Sequence, residues 1–133
     1  MIKDILKSIA TLAGVFAFHI LFYHIGILTI RQHTVIIAPL SEETAKFISV
    51  KYKYSFVYII LFVLAEILLS IYSGVVHYNM PLFKMILYRL MVIPVHLSTI
   101  SLMEITRKTK DKRTILLGFV LSLLIHGAWN YLM

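Results

Sequence analysis

Residues 54–76 read YSFVYIILFVLAEILLSIYSGVV, a run of 23 residues whose one acidic or basic side chain is Glu66. As a helix rising about 1.5 Å per residue, such a run crosses the ~30 Å hydrocarbon core of a bilayer. The rest of the chain has the same character. Of its 133 residues 60% are hydrophobic and 14% charged, whereas soluble domains carry about 25% charged residues.

Working outward, further apolar segments cover 9–30, 35–50, 82–103 and 114–132. The pattern predicts an all-α, polytopic transmembrane helical bundle of four to five spans. One integral membrane domain then occupies residues 1–133, with a first span over 9–30 and a core over 35–133. Lys3 and Lys7 precede the first run. That run is too long for the apolar part of a secretory signal and lacks a convincing small-residue cleavage site, so it reads as a retained span. The second run is short and interrupted by Pro39, Glu42, Glu43 and Lys46. It either crosses sheltered by its neighbours or folds back as a re-entrant helix. Pro39-Leu40-Ser41 reads as a helix start, with Ser41 as N-cap and Glu42 and Glu43 in the first turn, where the helix dipole favours anions. Pro81 likewise marks the start of the fourth segment.

The formal charge of +7 would suggest a nucleic-acid partner in a soluble protein. Here the basic residues gather between apolar segments, so they report membrane orientation and not nucleic-acid binding. The densest stretch, TRKTKDKR at 106–113, is expected to be cytoplasmic. With five crossings, Lys3, Lys7, Lys51 and Lys53 share that side and Arg31 and Lys84 lie outside. The N-terminus is then cytoplasmic and the C-terminus outside. The absence of cysteine excludes disulfides, thiolate metal ligands and a Cys nucleophile.

Ionisable groups at membrane depth cost several kcal/mol unless a protein-lined cavity gives them partners. Glu42, Glu43, Lys46, Glu66, Arg89, His96 and His126 form such a set, with the neutral Asn130. Counted from the cytoplasmic span ends at ~1.5 Å per residue, Glu43 and His96 fall about 12 Å deep and Glu66 and His126 about 18 Å deep. Four segments thus bring polar groups to one layer. His126 and Asn130, four apart, share a helix face, and Gly127 and Ala128 leave that part of the helix thin. Lys46 follows Glu42 by four and Glu43 by three, so it can neutralise one carboxylate while the other projects into a cavity. Blander readings stand beside these. Glu66 with Ser70 and Ser73 could serve structural hydrogen bonding, and Glu42, Glu43 and Lys46 an interfacial salt-bridge cluster. His19, His24 and Tyr23 read as packing residues, His77 as a solvated turn residue, and Arg89 as either a partner for a carboxylate or a side chain that snorkels.

Four motifs in order give these residues a resemblance to the PrsW-type intramembrane proteases, within the wider group of CAAX prenyl endopeptidases and bacteriocin-immunity-type proteases. Glu42-Glu43-Thr44-Ala45-Lys46 resembles a Glu-Glu-x-x-Lys signature, and Glu66 the acidic position of the next span. Arg89 with Pro94-Val95-His96 is similar to the third motif, and His126 to Asn130 to the closing His-x-x-x-Asn helix. The likeness covers roughly residues 39–133. The chain is shorter than many members, and the surroundings of Glu66 are less typical. Completion of the cavity by a homo-oligomer is one way a short chain would compensate.

The resemblance implies hydrolysis of peptide bonds in membrane-tethered protein or peptide substrates. Physical reasoning takes Glu43 as the general base that activates water, with Glu42 the alternate, and His96 orienting the water. His126 and Asn130 would donate hydrogen bonds to the oxyanion. Lys46 and Arg89 support. The same chemistry has a zinc form, in which Glu43, Glu66, His96 and His126 supply ligands across helices, and a metal-free glutamate form. Both stay open, as do a proton or metal-ion transporter and a non-catalytic membrane binding module.

Overall fold

A computed structural model describes residues 1–25, 29, 32–76 and 80–132. Arg31, His77 and the side chains of Tyr23 and His24 lie outside the described residues. The described chain is helical throughout, in the order α1 (Ile2–Ile25), one turn of π-helix (His33–Ile37), α2 (Ala38–Lys51), α3 (Ser55–Val76), α4 (Leu82–Lys108) and α5 (Lys112–Leu132). Four of these, α1, α3, α4 and α5, are long and apolar enough to cross a membrane. The chain is a multi-pass membrane protein.

Three helices outrun the apolar segments that predicted them. Helix α1 begins at Ile2 because Asp4 binds the terminal ammonium at 3.0 Å, where the positive end of the helix dipole also favours it. Helix α4 continues to Lys108 through Glu104 and Arg107, an ion pair one turn apart. Asp111 then starts α5 by accepting the backbone N–H of Thr114 at 2.8 Å and its hydroxyl at 2.7 Å. The resulting α4–α5 hairpin is tight. Gly118 faces Thr106 so closely that an added Cβ would overlap the branched Thr106 side chain.

The start of α2 differs from the sequence expectation. Ser41 lies inside the helix, and its hydroxyl donates back to the carbonyl of Ala38 at 2.9 Å. Pro39 occupies the first positions of α2, where its missing N–H costs least. The preceding π turn carries the helix on the N-terminal side. Ala38 N–H reaches the carbonyl of His33, five residues back. In that register Thr34 would receive Pro39, which has no N–H to give. Asn130 supplies the donor instead, with Nδ2 at 3.0 Å from the Thr34 carbonyl oxygen.

Helix α2 packs against all four long helices and forms the axis of the bundle. Around its C-terminal half, Ala45 and Val50 join Leu12, Val15, Tyr58, Phe62, Ile100 and Met103 in one apolar core. Leucines such as Leu64 and Leu68 on α3 point outward, the arrangement expected where hydrocarbon is the solvent. Glu43 and Lys46 of α2 are therefore enclosed by protein, while Lys51 at its end is exposed.

Candidate functional site

Glu43 and Lys46, one turn apart, are both fully buried and paired at 2.5 Å. Lys46 uses its three donors on Glu43 Oε1, on His96 Nδ1 at 2.9 Å and on Thr99 Oγ1 at 2.9 Å. This fixes the imidazole. With Nδ1 accepting from the ammonium, the His96 proton resides on Nε2, which donates to Glu66 Oε2 at 2.7 Å. Glu66 in turn accepts from Arg89 at 3.0 Å. Phe62 lies edge-on to the ring of His96 and shields it.

The second imidazole answers to the other carboxylate. His126 Nδ1–H donates to Glu43 Oε1 at 2.7 Å, leaving the Nε2 lone pair facing Glu42 Oε2 at 3.5 Å. The rings of His96 and His126 meet edge to face at 5.1 Å. Three groups from three helices thus converge: ligand-type atoms of Glu42, His96 and His126 lie within 4.8 Å of one another.

The two neighbouring glutamates are divided sharply. Glu43 is enclosed and carries Lys46 and His126 on a single oxygen. Glu42 is 15% exposed and lines a cavity of about 290 Å³ with Val15, Phe16, His19, Phe62 and Glu66. Its Oε2, like the enclosed Oε2 of Glu43, has no hydrogen-bond partner among the described residues, and of the two residues Glu42 is the one at the cavity. A buried carboxylate oxygen without a donor, beside an imidazole lone pair, is a place for water or a substrate group.

The layer of polar groups expected from span depth is formed: Glu43, Glu66, His96 and His126 join one network with Lys46 and Arg89. Asn130 does not join it, because its amide is committed to the π turn. Gly127 serves the same junction, since a Cβ there would sit 3.2 Å from the Val35 carbonyl oxygen. Three neighbours escaped the sequence reading. Thr99, one turn after His96, bonds Lys46. Its position on the His96 face was the available signal. His19, read as a packing residue, lies at the cavity wall, 2.9 Å from the Ser41 hydroxyl and 3.9 Å from Glu42. Tyr58 is fully buried in the adjoining core, and its hydroxyl has no hydrogen-bond partner among the described residues.

For zinc, the donors that cluster are Glu42, His96 and His126, with Glu43 and Glu66 as partners of the rings. Two imidazoles, one carboxylate and an open position match a catalytic zinc site in type and number. The lone pairs do not match. His96 has Nδ1 committed to Lys46 and its Nε2 proton to Glu66, so it offers no lone pair in this arrangement. Comparison with protein-family models, curated proteins and solved structures returned no significant match.

Proposed function

We propose that this chain is an intramembrane endopeptidase of the PrsW-like kind, hydrolysing peptide bonds of membrane-tethered substrates. The observation that carries the reading is the pairing of Glu42, at the wall of a cavity, with His126, whose opposite nitrogen is held by the enclosed Glu43. The four-motif resemblance supports it.

Roles follow from the geometry. Glu42 accepts a proton from a water in the cavity and so generates the nucleophile. His126, with Nε2 3.5 Å from Glu42 Oε2, is the proton carrier. Glu43 holds the His126 ring by its Nδ1–H and stabilises the imidazolium that forms when Nε2 takes up a proton, the function of the carboxylate in a catalytic triad. As the water oxygen bonds the carbonyl carbon, the proton taken by Glu42 passes to His126 Nε2 and from there to the amine nitrogen, whose bond to carbon breaks. Glu66 lines the same cavity and holds the enclosed His96, and the Lys46 ammonium supplies the fixed positive charge of the site. Glu42 therefore takes the part that spacing alone had given first to Glu43. The activation is metal-free in this scheme, because the lone pairs of His96 are already used. The orientation adopted is the five-crossing one, with the 106–113 loop and the N-terminus cytoplasmic and the C-terminus outside.

The test is reconstitution of the purified chain with a library of single-span peptides, read by mass spectrometry of the products. Wild type is expected to cleave, and His126→Ala and His96→Ala to lose at least about a hundredfold in rate, the scale of general acid–base contributions. Equal cleavage by all three proteins would sink the proposal. Metal content measured on the same active preparation separates the two chemistries. Stoichiometric zinc whose removal abolishes cleavage would overturn the metal-free form.

A further inference from the structure

At the end of the bundle farthest from the 106–113 loop, α3 and α4 enclose a second cavity of about 560 Å³, which shares Leu69 and Ser70 with the cavity at Glu42. Its polar wall is Ser70, Ser73, Lys84 and Arg89, and its apolar wall includes Met80 and Met85. Two cations line it and, among the described residues, no carboxylate does. Glu66 stands behind Arg89, on the side of His96.

The serines are unusual for this chain. Ser8, Ser98 and Ser122 each satisfy the hydroxyl on a carbonyl one turn back, as helical serines in apolar surroundings normally do. Among the described residues, Ser70 and Ser73 make no such bond, although Ser70 is only 9% exposed. Three apart on α3, they turn two hydroxyls toward one space.

Helix α4 adds a third contribution. Its first backbone bond joins Met85 N–H to the Pro81 carbonyl, so the N–H groups of the first turn stand outside the helical ladder. They mark the positive end of the helix dipole at the cavity that Lys84 lines. Basic side chains, free hydroxyls and a helix N-terminus beside methionines, between two membrane helices, suit an anion that carries acyl chains.

We propose that this cavity binds the phosphate of an anionic phospholipid, with its acyl chains running along the outer faces of α3 and α4. Lys84 disfavours the trimethylammonium of a choline headgroup, while Arg89, already paired with Glu66, adds hydrogen-bond donors, and Lys84 thus sets the preference for a net-negative lipid. The proposal rests on the membrane fold and not on the peptidase reading. It also places a lipid one side chain from Glu66, and thus two from His96.

The full chain in nanodiscs of phosphatidylcholine with one fifth phosphatidylglycerol is released into detergent, and retained lipid is counted by native mass spectrometry. Retention of one phosphatidylglycerol per chain in preference to phosphatidylcholine is expected. Lys84→Gln and Ser73→Ala, both on exposed or half-buried positions, are each expected to weaken retention, the former by about fivefold for one basic residue. Lys112→Gln, in the distant loop, should leave it unchanged, and circular dichroism checks the fold of each variant. Equal retention of both lipids, or wild-type retention by Lys84→Gln with Ser73→Ala combined, would overturn the proposal. So would displacement of all bound lipid by millimolar inorganic phosphate, which would identify the free anion as the ligand.

Discussion

Helices α2 and α3 are successive in sequence and opposite in how they use the membrane. Half of the fourteen residues of α2 are buried, including the charged pair Glu43 and Lys46, whereas 22% of the apolar window of α3 is. Helix α3 meets lipid with leucines and needs few partners. Helix α2 carries charges that lipid would reject, and four apolar helices shelter it. The lesson is that length and hydrophobicity identify the wall of this bundle, while its content is found on the helix that fails the hydrophobicity test.

Breaking the enclosed pair should have the largest effect. Lys46→Met or Glu43→Gln leaves an uncompensated charge at the axis and is expected to cost about 3–5 kcal/mol in detergent unfolding. Replacing both, Glu43→Leu with Lys46→Met, should recover most of that loss while abolishing cleavage. A double variant as unstable as the singles would contradict the pairing. Glycines sharpen the contrast between packed and open faces. Gly118→Ala meets Thr106 across the hairpin and should lose about 1–3 kcal/mol, the usual cost of overpacking. Gly14→Ala, with nothing within 4 Å, should be neutral or stabilising by up to about 1 kcal/mol through helix propensity. Thermal unfolding of both variants checks the difference.

A smaller gain is expected from Tyr58→Phe. The Tyr58 hydroxyl is buried without a partner among the described residues, and removing it should stabilise by about 1 kcal/mol. Destabilisation would mean that the hydroxyl has a role in the site. The smallest effect concerns Asp111, outside the spans. Its hydrogen bonds from Thr114 hold the carboxyl below its ordinary range. The capping contribution is therefore complete above the unfolded-state value and fades as pH falls through the lower folded one. Asp111→Ala should remove this pH response of hairpin amide exchange and leave the neutral-pH fold intact.

Much of this architecture is legible in the sequence because apolar runs and Pro81 mark the long helices without tertiary help. The meeting of Glu43, Glu66, His96 and His126 is legible too, since depth along a span follows from counting residues. Three features are not. Glu42 and Glu43 differ by one step of about 100° around the helix, and only the imidazoles offered by α4 and α5 decide which of them is enclosed. Asn130 has the right spacing from His126, but its amide donates to the Thr34 carbonyl of the π turn, a contact set by tertiary packing. His19 shows no motif spacing because its partners Ser41 and Glu42 lie on another helix.

The division of the two glutamates is the central claim, and cleavage by folded Glu42→Gln tests it most directly. This variant should unfold within a few degrees of wild type while cleaving at least about a hundredfold more slowly. Folded Glu42→Gln cleaving at the wild-type rate would contradict it.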